Sequence, residues 1–152
     1  MTAVRDADVV IGAINVPGAA SAKLLSREDV QSMTADRGAG AVLVDICIDA
    51  GGISATSRPT YHSAPTFVAE GVTHYCVANI PAAVPRSASI ALSKAVLPYV
   101  AAIASKGLTR ALRDDDGLAA GLQIHGGQVT HEAIARELKR PHRDLDAMLF
   151  SC

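Results

Sequence analysis

Residues 41–52 read AVLVDICIDAGG, and this stretch decides the fold class of the 152-residue chain. It begins with apolar residues only, and a short strand without a polar face is typical of a parallel sheet covered on both sides. Two acids and a double glycine follow where the strand ends. Ligands of open α/β sheets bind beyond the carboxyl ends of strands, and glycines let them approach the backbone. Asp49 is therefore a candidate site residue, while the same pattern also fits a helix N-cap or an Asx turn.

The elements around this strand follow the order of an α/β fold. Apolar or alternating runs bounded by turn residues predict two more strands, and a capping-box pattern predicts a helix between the first two strands. The predicted elements are a strand at residues 8–13, a helix from Ser26 to about residue 33, the strand at residues 41–44, a loop at residues 51–65 and a strand at residues 73–78. This alternation favours helices packed on a parallel sheet.

A long helix is predicted in the second half of the chain. Residues 79–86 contain two prolines, so we expect an extended, stiff segment there. Ser87 or Ser89 would cap the helix that follows, and Gly107 would end it. The helix is apolar nearly all round, so we expect it to be buried, and Pro98 should kink it.

The last third of the chain should hold a short hairpin followed by a helix. The hairpin, residues 122–130, would turn at a double glycine. Thr130 would cap the next helix, which ends before Pro141. Residues 144–150 would form a final helical turn or two.

Composition and charge argue against two classes of partner. The net charge is −1 and aromatic residues make up 3% of the chain, so neither a basic surface nor aromatic stacking for nucleic acid is expected. No apolar run approaches the roughly 20 residues that span a bilayer. The longest candidate, residues 95–104, is short and contains Pro98 and Tyr99. The amino terminus lacks the pattern of a secretion signal.

The cysteines and histidines show no spacing that predicts a metal site. Cys47, Cys76 and Cys152 form an odd set without a ligand pattern, which favours a reducing, cytoplasmic setting. The five histidines are scattered along the chain, and we expect His74 and His125 to be packing or surface residues. We therefore expect no metal.

Several longer stretches resemble the bacterial NAD-dependent L-alanine dehydrogenases, in one colinear order over nearly the whole chain. The most specific is YCVANIPAAVPRSAS, residues 75–89. The others are residues 8–13, 16–19, 44–52, 58–60, 65–67, 92–98 and 121–138. The family's chains are more than twice as long, and this chain resembles their carboxyl-terminal part. The resemblance implies the second half of a Rossmann-type NAD-binding domain at residues 1–86, followed at residues 87–152 by helices that return to the substrate domain.

The resemblance also implies an oxidoreductase, which converts L-alanine, NAD and water reversibly to pyruvate, ammonia and NADH. Asp49 matches the family's active-site aspartate, which could orient water or stabilise a cationic imine of pyruvate. The family forms hexamers, so a homo-oligomer is implied. The residues that match the family's cofactor site are Ile14, Asn15, Ile46, Cys47, Ile48, Asp49, Arg58, Val77, Ala78, Asn79 and Ile80.

Each of these matches has a purely structural alternative. Ile46 and Ile48 fit a plain core, Arg58 fits a solvated loop charge, and Asn79 before a proline fits a turn. The chain also departs from the family's pattern. The departures are Asn15, Ala20, Ala50, Ile80 and a longer loop at residues 34–40.

Parts of the family's machinery have no counterpart in the sequence. The phosphate-binding glycine turn, the ribose-binding acid and the substrate-binding arginine, lysine and histidine cannot be assigned, so we expect that the chain starts inside a fold. We therefore predict that this chain alone does not oxidise alanine. Two other functions stay open: a non-catalytic remnant or interaction module, and a nucleotide-binding piece of the related nicotinamide nucleotide transhydrogenase.

Overall fold

The computed structural model describes residues 2–35, 38, 40–145 and 147. Contacts divide the chain into two compact units, residues 1–16 with 20–83 and residues 17–19 with 84–152. The first unit is built around a sheet, and the second consists mainly of helices.

The first unit has four strands, β1 (Val9–Gly12), β2 (Val42–Asp45), β3 (Thr66–Ala69) and β4 (Val72–Tyr75), which form one sheet in the order β1-β2-β4-β3. Strands β1, β2 and β4 are parallel, and β3 pairs antiparallel with β4 at one edge, so the fold is α/β with a parallel sheet, as predicted. The other elements are α1 (Thr2–Arg5) and α2 (Arg27–Ser32), with 3₁₀ helices at Ile46–Ala50 and Ile80–Ala83.

Local sequence signals explain several of these elements. Ser26 accepts a hydrogen bond from the Asp29 amide, and the Asp29 carboxylate accepts one from the Ser26 amide, which confirms the predicted capping box of α2. Strand β3 was not predicted. It is joined to β4 by Glu70 and Gly71, both with positive φ (51° and 76°), and glutamate is an unusual residue in such a two-residue turn.

The sheet is covered on one face only within the first unit, which corrects the expectation of burial on both sides. Leu43 and Val72 are fully buried in a core with Val30 and Met33 of α2 and its C-cap. Side chains alternate along a strand, so Val9 and Ile11 of β1 lie on the other face, and they are 52% and 62% exposed. The short helices of this unit supply packing for one face, and the second face has no such cover among the described residues of the unit.

The second unit begins with the longest helix of the described chain. Helix α3 ends before Gly107, which has φ 78°, and the hairpin turns at Gly126 and Gly127, as predicted. Two short helices that follow α3 were not predicted. The elements are α3 (Pro85–Lys106), α4 (Leu108–Asp114), α5 (Asp116–Ala120), β5 (Ile124–His125), β6 (Gln128–Val129) and α6 (Glu132–Glu137).

Three local predictions for this half of the chain are wrong. The segment expected to be extended forms the 3₁₀ helix Ile80–Ala83, and α3 begins at Pro85 without a side-chain cap. Proline suits the first helical position because the N–H that it lacks has no partner in the helix. The Thr130 hydroxyl donates to the Leu122 carbonyl at 2.7 Å instead of capping α6, whose N-cap is His131. The helical turn predicted at residues 144–150 falls largely outside the described residues.

Helix α3 is unburied, against the expectation that it lies in a core. None of its residues is buried, and Leu92 and Leu97 are 66% and 65% exposed. The helix runs without a break through Pro98, so the apolar stretch is longer than the sequence patterns indicate. By length and composition alone it could cross a membrane, a test that core helices of soluble proteins also pass. The carboxyl end of α3 contacts α4, and Ile103 there is half-buried, while the other large apolar side chains of α3 are exposed.

Candidate functional site

Three segments follow the carboxyl ends of the parallel strands. Residues 13–16 follow β1, residues 46–52 follow β2 and residues 76–80 follow β4. Because these strands are parallel and adjacent, the segments emerge at one edge of the sheet. This edge is where open α/β sheets bind ligands. Ten of the eleven predicted cofactor residues belong to these segments, and Arg58 does not.

The buried carboxylate of Asp45 holds the segment after β2 from its core side. Asp45 is fully buried and accepts hydrogen bonds from the amides of Cys47 (3.2 Å) and Ile53 (2.8 Å) and from the Ser57 hydroxyl (2.6 Å). Gly52 lies against it with φ 76°, and a Cβ there would stand 2.6 Å from Asp45 Oδ2. Only glycine fits this position without a shift. The role of Asp45 was not predicted, although the acid at the strand end followed by a double glycine is a usable signal.

Asp49 is held on a short helix above this anchor. It lies in the 3₁₀ helix Ile46–Ala50, which Gly51 closes in the left-handed conformation with φ 100°. Asp49 is exposed, whereas Cys47 and Ile48 on the same helix are buried. Among the described residues, no side chain forms an ion pair or hydrogen bond with the Asp49 carboxylate. The carboxylate is therefore available to a ligand at the sheet edge.

The thiol of Cys47 ties the segment after β2 to the segment after β1. The Ile14 amide donates to Cys47 Sγ at 2.8 Å, and the thiol donates to the Ile14 carbonyl at 2.9 Å. Ile14 is half-buried against the core and Asn15 is exposed. The thiol thus continues the link between neighbouring strands beyond the last paired residues, Gly12 and Asp45.

The segment after β4 is buried where it leaves the strand and exposed further along. Val77 is buried, Ala78 and Ile80 are half-buried, and Asn79 is exposed with φ 59°. Asparagine tolerates this left-handed conformation better than most residues. Thr60 pairs with the buried beginning of this segment. The Thr60 amide donates to the Cys76 carbonyl at 2.9 Å, and the Ala78 amide donates to the Thr60 carbonyl at 3.1 Å.

Arg58 has a different environment from the other predicted site residues. Its guanidinium carbon lies 4.2 Å from the ring centroid of Phe67 on β3, a cation–π contact. Phe67 in turn stacks on the ring of His74, with centroids 4.8 Å apart. The Arg58 guanidinium therefore contacts the antiparallel edge of the sheet, while the Arg58 backbone hydrogen-bonds Cys76 at the start of the segment after β4.

His74 is a packing residue, as expected. It is fully buried, and its Nδ1 lies 2.9 Å from the Val72 carbonyl, which can only accept, so Nδ1 carries a proton. In the neutral ring, Nε2 then accepts from the Thr56 hydroxyl at 2.7 Å. The Thr56 hydroxyl also contacts the Ser54 hydroxyl at 2.8 Å. This network satisfies the imidazole inside the core.

The described cysteines are structural rather than reactive. Cys47 and Cys76 are free and buried. Burial raises the pKa of the Cys76 thiol, and the nearby negative charge of Asp45 raises it further, so the thiol stays protonated and is a poor nucleophile. In the described part of the chain, no group of three or more His, Cys, Asp or Glu side chains is arranged to hold a metal ion.

Comparison with known proteins gives the family. The model of the alanine dehydrogenase/PNT carboxyl-terminal domain matches residues 1–132. An alanine dehydrogenase of Halomonas elongata is 53% identical over 133 residues, which cover 88% of this chain and 35% of the relative. A solved L-alanine dehydrogenase structure superposes with a TM-score of 0.71 at 41% identity, over 91% of this chain and 37% of that one.

A more distant solved structure shares the fold. A transhydrogenase from Sinorhizobium meliloti superposes with a TM-score of 0.64 at 23% identity, over 84% of this chain and 34% of that one. The chain thus spans little more than a third of the length of the relatives that it matches. With residues 1–132 matched and about half of the aligned residues identical to a dehydrogenase, the chain belongs to the alanine dehydrogenase/PNT carboxyl-terminal domain family.

Proposed function

We propose that this chain is the carboxyl-terminal part of an NAD-dependent L-alanine dehydrogenase and works only together with an amino-terminal half. The reaction is the oxidative deamination of L-alanine with water to pyruvate and ammonia. The observation that carries the proposal is the exposed, unpaired carboxylate of Asp49 at the carboxyl edge of a parallel sheet, in a chain of this family. We further propose a homo-oligomeric enzyme in the reducing cytoplasm, where the buried thiols stay free.

Asp49 is the proposed catalytic residue. Removing a hydride from the α-carbon of alanine develops positive charge at the amino nitrogen, and a fixed carboxylate stabilises that charge. The same carboxylate can orient the water that attacks the resulting imine. Bound NAD would supply the hydride acceptor. The mobility of Asp49 is limited by its helix, which Asp45 fastens through the amide of Cys47.

The residues at the sheet edge fit part of a dinucleotide. Ile14, Ile46 and Ile80 offer half-buried or exposed apolar surface for flat rings, and Asn15 and Asn79 offer exposed amides. We assign the adenosine side to Ile14 and Asn15 and the nicotinamide side to residues 77–80. Cys47, Ile48 and Val77 are buried, so they would contribute through the backbone. Arg58 would have to leave Phe67 to reach a nucleotide.

The same fit supports the proposal that the chain works only with a second part. A dinucleotide also requires a phosphate-binding glycine turn and a ribose-binding acid, which the sequence lacks. Alanine requires groups that bind its carboxylate and shuttle protons, and these too must come from elsewhere. Because positioning of all reacting groups together supplies much of a catalysed rate, a part of the site gives little turnover.

The test is alanine-dependent NADH formation by the chain alone and by the chain co-expressed with the amino-terminal half of a close relative. We expect activity only in the mixture. Asp49→Asn should lower kcat by roughly 100- to 1000-fold, since it removes a charge aimed at the transition state. Asp6→Asn, a change of the same kind at an exposed residue outside the site, should leave kcat unchanged. Turnover by the chain alone at the rate of the mixture, or full activity of Asp49→Asn, contradicts the proposal.

A non-catalytic interaction module is the second candidate, and helix α3 favours it. A helix of 22 apolar-rich residues without a buried residue is suited to binding another protein surface. This function predicts a folded chain that binds a partner while every mixture stays inactive. The transhydrogenase alternative has a likeness of fold in its favour and no observation at the site.

A further inference from the structure

The turn that follows Asp49 is held from a second side by a segment before α2. The Ser21 amide donates to the Ala50 carbonyl at 2.8 Å, and the Leu24 and Leu25 amides donate to the Ile53 carbonyl at 2.8 and 3.1 Å. The Ala55 amide returns a bond to the Leu25 carbonyl at 2.9 Å. Residues 21–25 therefore run alongside residues 50–55 like a paired strand.

Lys23 lies in the middle of this pairing and reaches across it. Its ammonium donates to the Gly51 carbonyl and, at 3.0 Å, to the Ser54 carbonyl. Hydrogen bonds from a charged donor are stronger than neutral ones, and two acceptors fix the ammonium in one place. The two carbonyls flank Gly52 and Ile53, so Lys23 spans the double-glycine turn that follows Asp49.

The turn needs such a clamp because its own residues are permissive. Gly51 has φ 100°, and a Cβ there would meet no atom of the described residues within 4 Å, so their packing does not restrain it. Asp45 restrains the turn from the core through the Ile53 amide, and Lys23 restrains it from the solvent side through the Gly51 carbonyl. Gly51 is the C-cap of the 3₁₀ helix that carries Asp49, so a movement of the Gly51 backbone would also move the Asp49 carboxylate.

We propose that Lys23 is a positioning residue for Asp49: its ammonium fixes the turn at residues 51–54 and thereby the place of the catalytic carboxylate. This inference rests on the proposed function. It assigns Lys23 no contact with substrate or cofactor. A lysine at a protein surface more often contributes only solubility, so the distinguishing property is a local effect on this turn.

Amide hydrogen exchange of the chain tests the clamp without any activity. In Lys23→Met, which keeps the side-chain length and removes the charge, exchange at Gly51, Gly52 and Ile53 should accelerate about tenfold, as expected for loss of charged hydrogen bonds. The Leu43 amide in the core should be unchanged. Lys23→Arg keeps the donors and should restore protection. Lys139→Met, an exposed lysine in the other unit, is the control.

Steady-state kinetics of the complemented enzyme test the consequence for Asp49. Lys23→Met should lower kcat roughly 10- to 100-fold, because a misplaced catalytic group slows the chemical step, with KM for NAD unchanged. Lys23→Arg should recover most of the rate. Unchanged exchange at the turn in Lys23→Met overturns the inference, as does a raised KM with kcat intact. If the wild-type mixture is inactive, the proposed function fails, and the exchange result alone decides whether Lys23 fixes the turn.

Discussion

The segment at residues 45–57 and helix α3 differ in what holds them in place. The buried carboxylate of Asp45 and the ammonium of Lys23 hold this double-glycine segment through hydrogen bonds made within the first unit. In α3, 22 residues form a long helix, and none of them is buried. The segment at residues 45–57 is therefore held by contacts within the first unit, whereas the described residues of the second unit leave most of the apolar surface of α3 exposed.

The sheet repeats this contrast between its two faces. Leu43 on the covered face is fully buried, while Ile11 on the other face is 62% exposed. Apolar surface is stabilised by removal from water, so the uncovered face and α3 are the parts that gain most from association. Residues 45–57 are thus held by contacts within the first unit, whereas the described residues leave the second sheet face and most of α3 exposed.

The largest loss of stability is expected from Asp45→Ala. The change leaves the amides of Cys47 and Ile53 and the hydroxyl of Ser57 without their acceptor. Buried donors without partners are costly, so the free energy of unfolding should fall by about 3 kcal/mol. Denaturant unfolding of the chain measures it. Asp49→Asn, at an exposed carboxylate four residues further along the chain, should change the free energy of unfolding by less than about 0.5 kcal/mol. Equal effects of the two variants would remove the distinction between anchor and site.

A smaller loss is expected from Gly52→Ala, with Gly51→Ala as its matched control. Both glycines have positive φ, so both variants carry strain of about 1 kcal/mol or more. Only at Gly52 would the new Cβ also meet a buried atom, Asp45 Oδ2 at 2.6 Å. Gly52→Ala should therefore cost about 1–2 kcal/mol more than Gly51→Ala in denaturant unfolding. A larger loss in Gly51→Ala would contradict the placement of the tight contact at Gly52.

Features that depend on residues close together in the sequence were predicted, whereas features that join distant residues were not. The capping box of Ser26 and Asp29 and the double-glycine hairpin are set by residues within a few positions, and both were predicted. The parallel strands were predicted because each carries its own apolar or alternating run. The clamp of Lys23 on Gly51 joins residues 28 apart, and no local pattern signals it. The role of Asp45 likewise depends on Ser57, which is 12 residues away.

Exposure of α3 was mispredicted for the same reason. Apolar composition indicates that a helix seeks burial, but it does not say whether the burying surface belongs to the same unit. Strand β3 is a further case, because its turn at Glu70 and Gly71 lacks the usual asparagine or aspartate. The role of Asp49 in binding and catalysis stays a prediction, since none of the described side chains bonds to its carboxylate.

The smallest effect on the stability of the isolated chain is expected on α3, and it sharpens the contrast most. Leu92→Gln with Leu97→Gln replaces two exposed apolar side chains, so the free energy of unfolding should change by less than about 0.5 kcal/mol. A partner that binds only the folded chain raises its apparent stability by mass action. The unfolding midpoint of the wild-type chain should therefore rise when the amino-terminal half is added, and the double variant should lose that rise. If the double variant instead unfolds much more easily on its own, α3 packs within the chain. Both α3 and residues 45–57 would then be stabilised by contacts within the chain.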